Sequence, residues 1–526
     1  MFLKASKRHL VVLAVVLTLT VIAGILIVIC PPGLYPDPGA GFQVMRSMMM
    51  GGGFNLSITP SQANILQNTT TFLTWWSPGQ YLLPYGFKVG LGVNMGQSAA
   101  LTVLFCDVLG IFGFYNFFRK VGFSHIVAAL SVGVIASQQF YVIPYVFYNG
   151  GETLLFGFLG WYLYGCFSFG KINWQLITFV LLTGWIGFFC KSAFLWMYAS
   201  GLFCLWFNLS SNKMQLWNWI KNGIVLAIPA AISLLVISKL YLSRGGNPAS
   251  QSPGFRFSLE ALAFPLGSPL LSGFSVDELS HGLINHQDPP IFNATQSMVV
   301  LLLTALLSIA LFAAILRFVP HRKYKVAVCG FYGMAVLFFV YVFLKQLNIS
   351  YEARHFRIVG LLFIPGALYL IMQLKPVFKY AFLLLWIAVG FTTVKFFIYG
   401  YKYNSQVSAH GPSGFSQEFI DRPALNYLQQ LDKNAPKDAL FVFTSIDIGL
   451  DIINHRIIWL ESPEDIDSDT YIADNQFNGN TGPLYILLPA VFEKNGKAEA
   501  FKQCFPQYSN FSIKKLSKDY ILLSGY

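Results

Sequence analysis

About eleven runs of mostly apolar residues, each roughly 20 residues long, recur along this chain, and that is the length a helix needs to cross the hydrocarbon core of a bilayer. With no water to satisfy backbone polar groups there, such runs must be helices. The spans fall at about residues 10–30, 97–118, 125–145, 153–170, 174–190, 192–207, 220–242, 297–317, 326–345, 357–374 and 380–400. Only 11% of the 526 residues are charged, against about 25% in an ordinary soluble domain, so a string of soluble domains is excluded. The expected fold class is mainly α. A polytopic transmembrane helical domain covers 1–400 with outer loops at 31–96 and 243–296, and a small α/β domain covers 401–526 on the non-cytoplasmic side.

The first run, Leu10 to Cys30, follows Lys4, Lys7 and Arg8 and is longer than the 7 to 15 residues of a signal-peptide core, so it reads as a retained helix. Ile29 before Cys30 argues against a lipoprotein cleavage site.

The formal net charge of +12 fits either nucleic-acid binding or membrane topology. Position decides. With a cytoplasmic N-terminus, the cytoplasmic connections carry Lys4, Lys7 and Arg8; Arg119 and Lys120; Lys171; Lys213 and Lys221; Arg317, Arg322, Lys323 and Lys325; and Lys375 and Lys379, with no Asp or Glu among them. Every second connection is short and basic, as the positive-inside rule requires. The partners implied are membrane lipids and not nucleic acid. Seven scattered cysteines, six of them in or beside apolar runs, give neither a disulfide framework nor a metal-ligand spacing.

Function should then concentrate on the opposite side, in residues 31–96, the turn from Tyr148 to Glu152, residues 243–296 and everything after about 401. Between Ser57 and Trp76, Ser, Thr, Asn and Gln alternate with aromatic residues, which suits helices lying in the membrane interface. The segment from Arg244 to Gln296 is rich in Gly, Pro and Ser and is long enough to be a lid or binding loop. Past 401 the charge density rises to that of a soluble protein. A helix from about Arg422 to Leu431 precedes β-like runs at Leu440 to Thr444, Ile457 to Leu460, Leu484 to Leu488 and Tyr520 to Leu523.

Acidic residues are scarce before residue 400, so each needs a reason. Asp37 follows the first helix directly, in a stretch where Pro and Gly hold it near the membrane surface. It suits a general base taking a proton from an acceptor hydroxyl or amine, while the local sequence by itself fits an N-cap at an Asp-Pro helix start. Glu152 opens the fourth helix on the same side, where an acidic residue also favours the helix dipole. Lys88, Lys191, Arg354 and Arg357 supply cations for a phosphate, although snorkelling to the interface explains Lys191 as well. The two arginines run against the positive-inside trend. His281 and His286, with Asp277, Glu278 and Asp288, form an arrangement that would take a divalent metal, but its spacing is generic and no cofactor is indicated; the run Asp465 to Asp469 lacks the Gly and terminal Glu of a calcium loop and reads as a solvated loop.

These residues together resemble the C-type (GT-C) polytopic glycosyltransferases, which include bacterial protein mannosyltransferases (family 39) and lipid A aminoarabinose transferases. Three features carry the likeness: Asp37 in the first outer loop with Trp75-Trp-Ser-Pro-Gly-Gln-Tyr-Leu-Leu83 after it, Glu152 at the fourth helix, and Glu352-Ala-Arg-His-Phe-Arg357 leading to Pro365. The resemblance implies transfer of a sugar from a polyprenyl-phosphate donor, with inversion, to an acceptor glycan, lipid or protein at the outer membrane face. It implies Asp37 as the base, Glu152 as a group that orients the acceptor or supports the site, and Lys191, Arg354, Arg357 and Lys88 as phosphate partners. His355 and Tyr81 fall on the acceptor side. Two departures stand out: Pro38 follows Asp37 where many relatives place a second acidic residue, and His355 replaces a Tyr.

The alternative reading is a transporter or flippase for a lipid-linked saccharide. Charges deep within helices would favour it, and apart from Asp107 these helices are nearly free of acidic residues.

Overall fold

The computed structural model describes residues 7–34, 36–147, 150–211, 215–246, 252–286, 289–461 and 468–526, with the side chains of Pro36, Asp37, Pro144 and Ser468 outside that description. The chain divides into two compact units, each discontinuous in sequence: residues 1–25 with 103–398, and residues 26–102 with 399–526.

Each of the eleven apolar runs is a helix: Arg8–Ile29, Met95–Lys120, His125–Ala136, Gly151–Cys166, Trp174–Cys190, Phe194–Ser210, Leu216–Leu240, Ala294–Phe318, Arg322–Leu344, Arg357–Gln373 and Pro376–Lys402. Among the described residues seven of them are long and apolar enough to cross a membrane, Arg357–Gln373 only together with the turn before it, as the 21-residue span Ala353–Gln373. The others have 12 to 17 residues. At 1.5 Å per residue even the longest of these reaches about 26 Å, slightly less than the hydrocarbon thickness. His125–Ala136 is followed by a π-type segment, Tyr141–Val146, broken at Ile143, whose backbone is extended.

Burial separates central from peripheral helices in the first unit. Arg357–Gln373 buries every residue from Arg357 to Leu368, whereas Pro376–Lys402 buries only Thr393, the pattern of a helix with lipid nearly all round it.

The segment 243–296, expected to be a long loop, instead contains the buried helix Leu259–Gly273, started by Ser258, whose side chain accepts from the Ala261 N–H at 3.2 Å. Pro265 and Pro269 lie inside it, and those prolines are what made the sequence read as a loop. Neighbouring helices supply hydroxyls: Tyr332 donates to the Leu266 carbonyl at 2.7 Å and Ser308 to that of Gly267 at 3.2 Å. Its end crosses Arg357–Gln373 at paired glycines, where a Cβ on Gly273 would lie 2.9 Å from the Gly360 Cα.

In the second unit a five-stranded mixed sheet runs in the order Arg456–Trp459, Leu440–Phe443, Leu484–Pro489, Tyr520–Gly525, Phe511–Lys515, the first three parallel and the last two antiparallel to their neighbours. Both faces are covered. Val442, Ile486, Phe501 and Phe505 pack on one, and Phe441, Leu522 and Leu425 and Leu428 of helix Arg422–Asn434 on the other.

Residues 26–102 add helices Pro36–Met49 and Gly79–Leu91 to this unit. Between these helices the stretch expected as interfacial helices holds an antiparallel hairpin, Leu56–Pro60 with Asn68–Phe72, because Ser57, Ile58 and Thr59 face Thr71, Thr70 and Thr69. β-Branched residues such as these favour a pleated strand. Arg46 ties the N-terminal segment to the C-terminal one: Nε and Nη2 donate to the Ile452 carbonyl at 3.0 and 2.9 Å, and Nη2 to that of His455 at 2.6 Å. Burial pulls its pKa down to about 10, and Asp432 opposes that shift.

Candidate functional site

Glu152 is the second residue of Gly151–Cys166, where its carboxylate meets the positive end of the helix dipole. The preceding Gly151 lets a second connection come close, since a Cβ there would lie 2.8 Å from the Cys190 carbonyl oxygen and from Lys191. Lys191 ends helix Trp174–Cys190 in extended conformation and donates from Nζ to Glu152 Oε1. The carboxylate is 5% exposed and the ammonium 15%, so this is a nearly buried ion pair. Burial lowers the Lys191 pKa, and Glu152 opposes that shift.

Arg354 reaches the same carboxylate from a third element. It sits in the 3₁₀ turn Ala353–Phe356 that opens Arg357–Gln373, with Nε 3.8 Å from Glu152 Oε1 and a second ion pair to Glu352. Glu352 is held by Ser350, whose hydroxyl donates to Oε1 at 2.7 Å, and by Asn285 Nδ2 at 3.4 Å. The turn itself is fixed by Asp277, whose Oδ2 accepts from the Ala353 N–H at 3.0 Å and Oδ1 from the Leu283 N–H at 3.2 Å. Burial, with Glu278 beside it, pushes the Asp277 carboxyl up to about 6.

Arg357, expected as a phosphate partner, is committed to protein groups. Nη1 donates to the Ser272 carbonyl at 2.6 Å, Nη2 pairs with Glu278, and the guanidinium lies 4.1 Å from the Phe140 ring centroid. It joins helix Leu259–Gly273 to the Arg354 turn. His355 lies 3.4 Å from the Ser350 hydroxyl and against the Phe339 ring.

Glu152, Lys191, Arg354, His355 and Arg357 line one cavity with Tyr145 and Met197. Its volume is about 20 Å³, room for roughly one water and not for a sugar. The charges balance, Lys191 and Arg354 against Glu152 and Glu352. The Glu352–Arg354 pair is the more open, at 29% and 24% exposure. An anion arriving there meets Arg354 first and must displace a carboxylate.

Other expected site residues belong to the second unit or to the 243–296 segment. In the second unit, Lys88 Nζ donates to the Val93 carbonyl at 3.3 Å, and the buried Tyr81 hydroxyl donates to Asn55 Oδ1 at 2.7 Å. The backbone of Asp37 falls inside the first turn of Pro36–Met49, and its side chain lies outside the described residues. Of the metal candidates, His281 Nδ1 lies 3.3 Å from the Pro289 carbonyl and His286 Nδ1 2.9 Å from that of Gly282, while Asp288 is outside the described residues. Among the described residues no three His, Cys, Asp or Glu converge as a metal site. Sequence reasoning had not given Asp277, Glu278 and Glu352 their parts as positioning groups; their rarity as acids in this half of the chain was the available signal.

Helices of membrane-spanning length define a polytopic membrane protein, and in its first unit two cations converge on a buried carboxylate. No known protein family matches the sequence, and no curated protein is detectably similar to it. By structure the chain is similar to ArnT from Cupriavidus metallidurans bound to undecaprenyl phosphate, with a TM-score of 0.52 and 11% identity over 99% of this chain and 98% of that one. ArnT from the same organism in the apo state matches with a TM-score of 0.50, again at 11% identity and with the same coverage. The chain has the GT-C fold.

Proposed function

We propose that this protein is a glycosyltransferase that moves a sugar from a polyprenyl-phosphate donor to an acceptor at the outer face of the membrane. The observation that carries the proposal is the convergence of Lys191 and Arg354 on Glu152 within a GT-C fold. That ArnT was captured with undecaprenyl phosphate makes a lipid phosphate the natural ligand for such cations.

As the glycosidic C–O bond breaks, negative charge accumulates on the departing lipid phosphate. Fixed cations in a dry site stabilise that charge more than they stabilise the intact donor. Arg354, at the open side, receives the phosphate in place of Glu352 and presents up to two parallel N–H donors. Lys191 adds a compact charge behind it, and Glu152 keeps both cations in position when no donor is present. Asp37 takes the proton of the acceptor nucleophile as the new bond forms, and that bond forms on the face opposite the leaving phosphate.

The test is transfer by purified protein reconstituted with polyprenyl-phosphate sugars, the donor being found by mass spectrometry of envelope lipids that accumulate in a deletion strain. Asp37→Asn is expected to insert and express normally with turnover reduced at least about a hundredfold. Full activity in that variant removes Asp37 from the mechanism. Arg354→Ala is expected to raise KM for the donor more than for the acceptor, and equal loss for both points to a folding defect instead.

A further inference from the structure

A polar cavity of the first unit lies away from the Glu152 cluster. Lys120, Phe167, Ser168, Phe169, Phe207, Asn208, Arg322 and Lys323 line a space of about 370 Å³, within the range of small-ligand sites. It is bounded by the end of Met95–Lys120, the connection after Gly151–Cys166, the end of Phe194–Ser210 and the start of Arg322–Leu344. These are the ends that carry the short basic connections.

Three features point to an anion. Lys120, Arg322 and Lys323 bring three positive charges to one cavity, and among the described residues none of them pairs with a carboxylate. Two are steadied by rings, Lys120 5.3 Å from the Tyr164 centroid and Arg322 5.2 Å from that of Phe207, so the charges are held at the cavity without being neutralised. Arg322 and Lys323 also stand in the first turn of a 23-residue helix whose N-cap, His321, makes no side-chain capping bond. A helix start repels cations and leaves N–H groups unsatisfied, and an anion relieves both conditions.

The rest of the lining suits an amphipathic molecule. Ser168, Asn208 and Ser211 offer hydroxyl and amide groups, and Phe167, Phe169 and Phe207 form an apolar flank. Asn208 donates from Nδ2 to the Phe169 carbonyl at 2.8 Å, which fixes that flank. We propose that this cavity binds the phosphodiester headgroup of an anionic phospholipid from the leaflet that the basic connections face. The three cations take the phosphate, the polar groups the glycerol, and the rings the root of an acyl chain. The inference is independent of the sugar-transfer reading, because none of these residues belongs to the Glu152 cluster.

The full chain, purified in detergent, is titrated with phosphatidylglycerol, with phosphatidylcholine of the same acyl chains and with inorganic phosphate. Native mass spectrometry counts retained lipid, and a thermal melt reports protection. One phosphatidylglycerol is expected to bind at least about tenfold more tightly than phosphatidylcholine. The triple variant Lys120→Gln/Arg322→Gln/Lys323→Gln should lose that preference. Lys375→Gln/Lys379→Gln, at exposed basic positions outside the cavity, should keep it. If the triple variant fails to fold, exposed Lys323→Gln alone serves the comparison, with a severalfold loss. Equal binding of the two lipids, or equal weakening by both sets of substitutions, overturns the proposal in favour of diffuse surface charge. Protection by inorganic phosphate equal to that by phosphatidylglycerol overturns the lipid in favour of a free phosphate.

Discussion

At the residue scale the cluster of Glu152, Lys191 and Arg354 makes a prediction about stability that is separate from activity. Removing one member of a nearly buried ion pair strands the other charge, at a cost on the order of 3 kcal/mol, while replacing both by apolar groups of similar volume costs less. Glu152→Gln and Lys191→Met are each expected to lower the melting temperature by several degrees, and the double variant to melt above Lys191→Met. A double variant showing the full sum of the two losses would mean that the pair contributes no coupling. A second residue-scale prediction concerns Asp451 in the second unit. Its Oδ1 accepts from the Ser413 N–H at 2.7 Å and its Oδ2 from Gln417 Nε2 at 2.8 Å, and burial pushes its carboxyl from 3.8 up to about 6. The folded state therefore holds this proton more tightly than the unfolded chain. Stability from this group is full below pH 4 and is lost as pH rises to about 6, by up to roughly 3 kcal/mol. Asp451→Asn should flatten that part of a melting-temperature profile, and an unchanged slope assigns the effect to other carboxyls.

At the scale of elements, the eleven helices were legible because bilayer length and apolarity leave few alternatives, and the small sheet showed four of its five strands as short β-like runs. Phe511–Lys515 escaped because Lys514 and Lys515 make it read as a solvated edge; all of Ser512 to Lys515 is in fact exposed. Helix Leu259–Gly273 escaped for the opposite reason. Its prolines signal a loop, and nothing local announces the Tyr332 and Ser308 hydroxyls that reach the Leu266 and Gly267 carbonyls from neighbouring helices. The same holds for the site: Glu152 and Arg354 were readable as isolated charges, but their convergence depends on close approaches at Gly151 and at Gly273 with Gly360, which are tertiary facts. The crossing makes a prediction. A methyl group on Gly360 would meet the backbone of Ser272 and Gly273, and backbone cannot swing aside as a side chain can. Gly360→Ala is expected to destabilise by about 1–3 kcal/mol and to loosen the Arg357 bond to the Ser272 carbonyl, with donor KM rising as the Arg354 turn shifts. Wild-type melting and KM in this variant would mean that the two helices separate without cost.

At the scale of the whole molecule, composition and charge placement predict an orientation that can be measured directly. The basic connections alternate along the sequence, and Trp174 and Trp217, both 72% exposed, stand at helix starts beside Lys171 and Lys221, where interfacial tryptophans belong. Residues 26–102 and 399–526, which share one compact unit, must then reach the same side, and two passages agree on this. Arg8–Ile29 leads out to the first segment, and Pro376–Lys402 leads out to the second after an odd number of further crossings. Single cysteines test it, because five of the seven native thiols are buried and only Cys30 and Cys329 need replacement first. Gln62→Cys, at an exposed position of the second unit, and Lys497→Cys, at a partly exposed one, are expected to react with a membrane-impermeant maleimide in intact spheroplasts. Lys323→Cys and Lys379→Cys should react only after the membrane is opened. Labelling of Gln62→Cys from one side and Lys497→Cys from the other would be incompatible with one unit built from both segments. Labelling of all four from outside would remove the basis for reading the basic connections as cytoplasmic, and with it the placement of the 370 Å³ cavity against the inner leaflet.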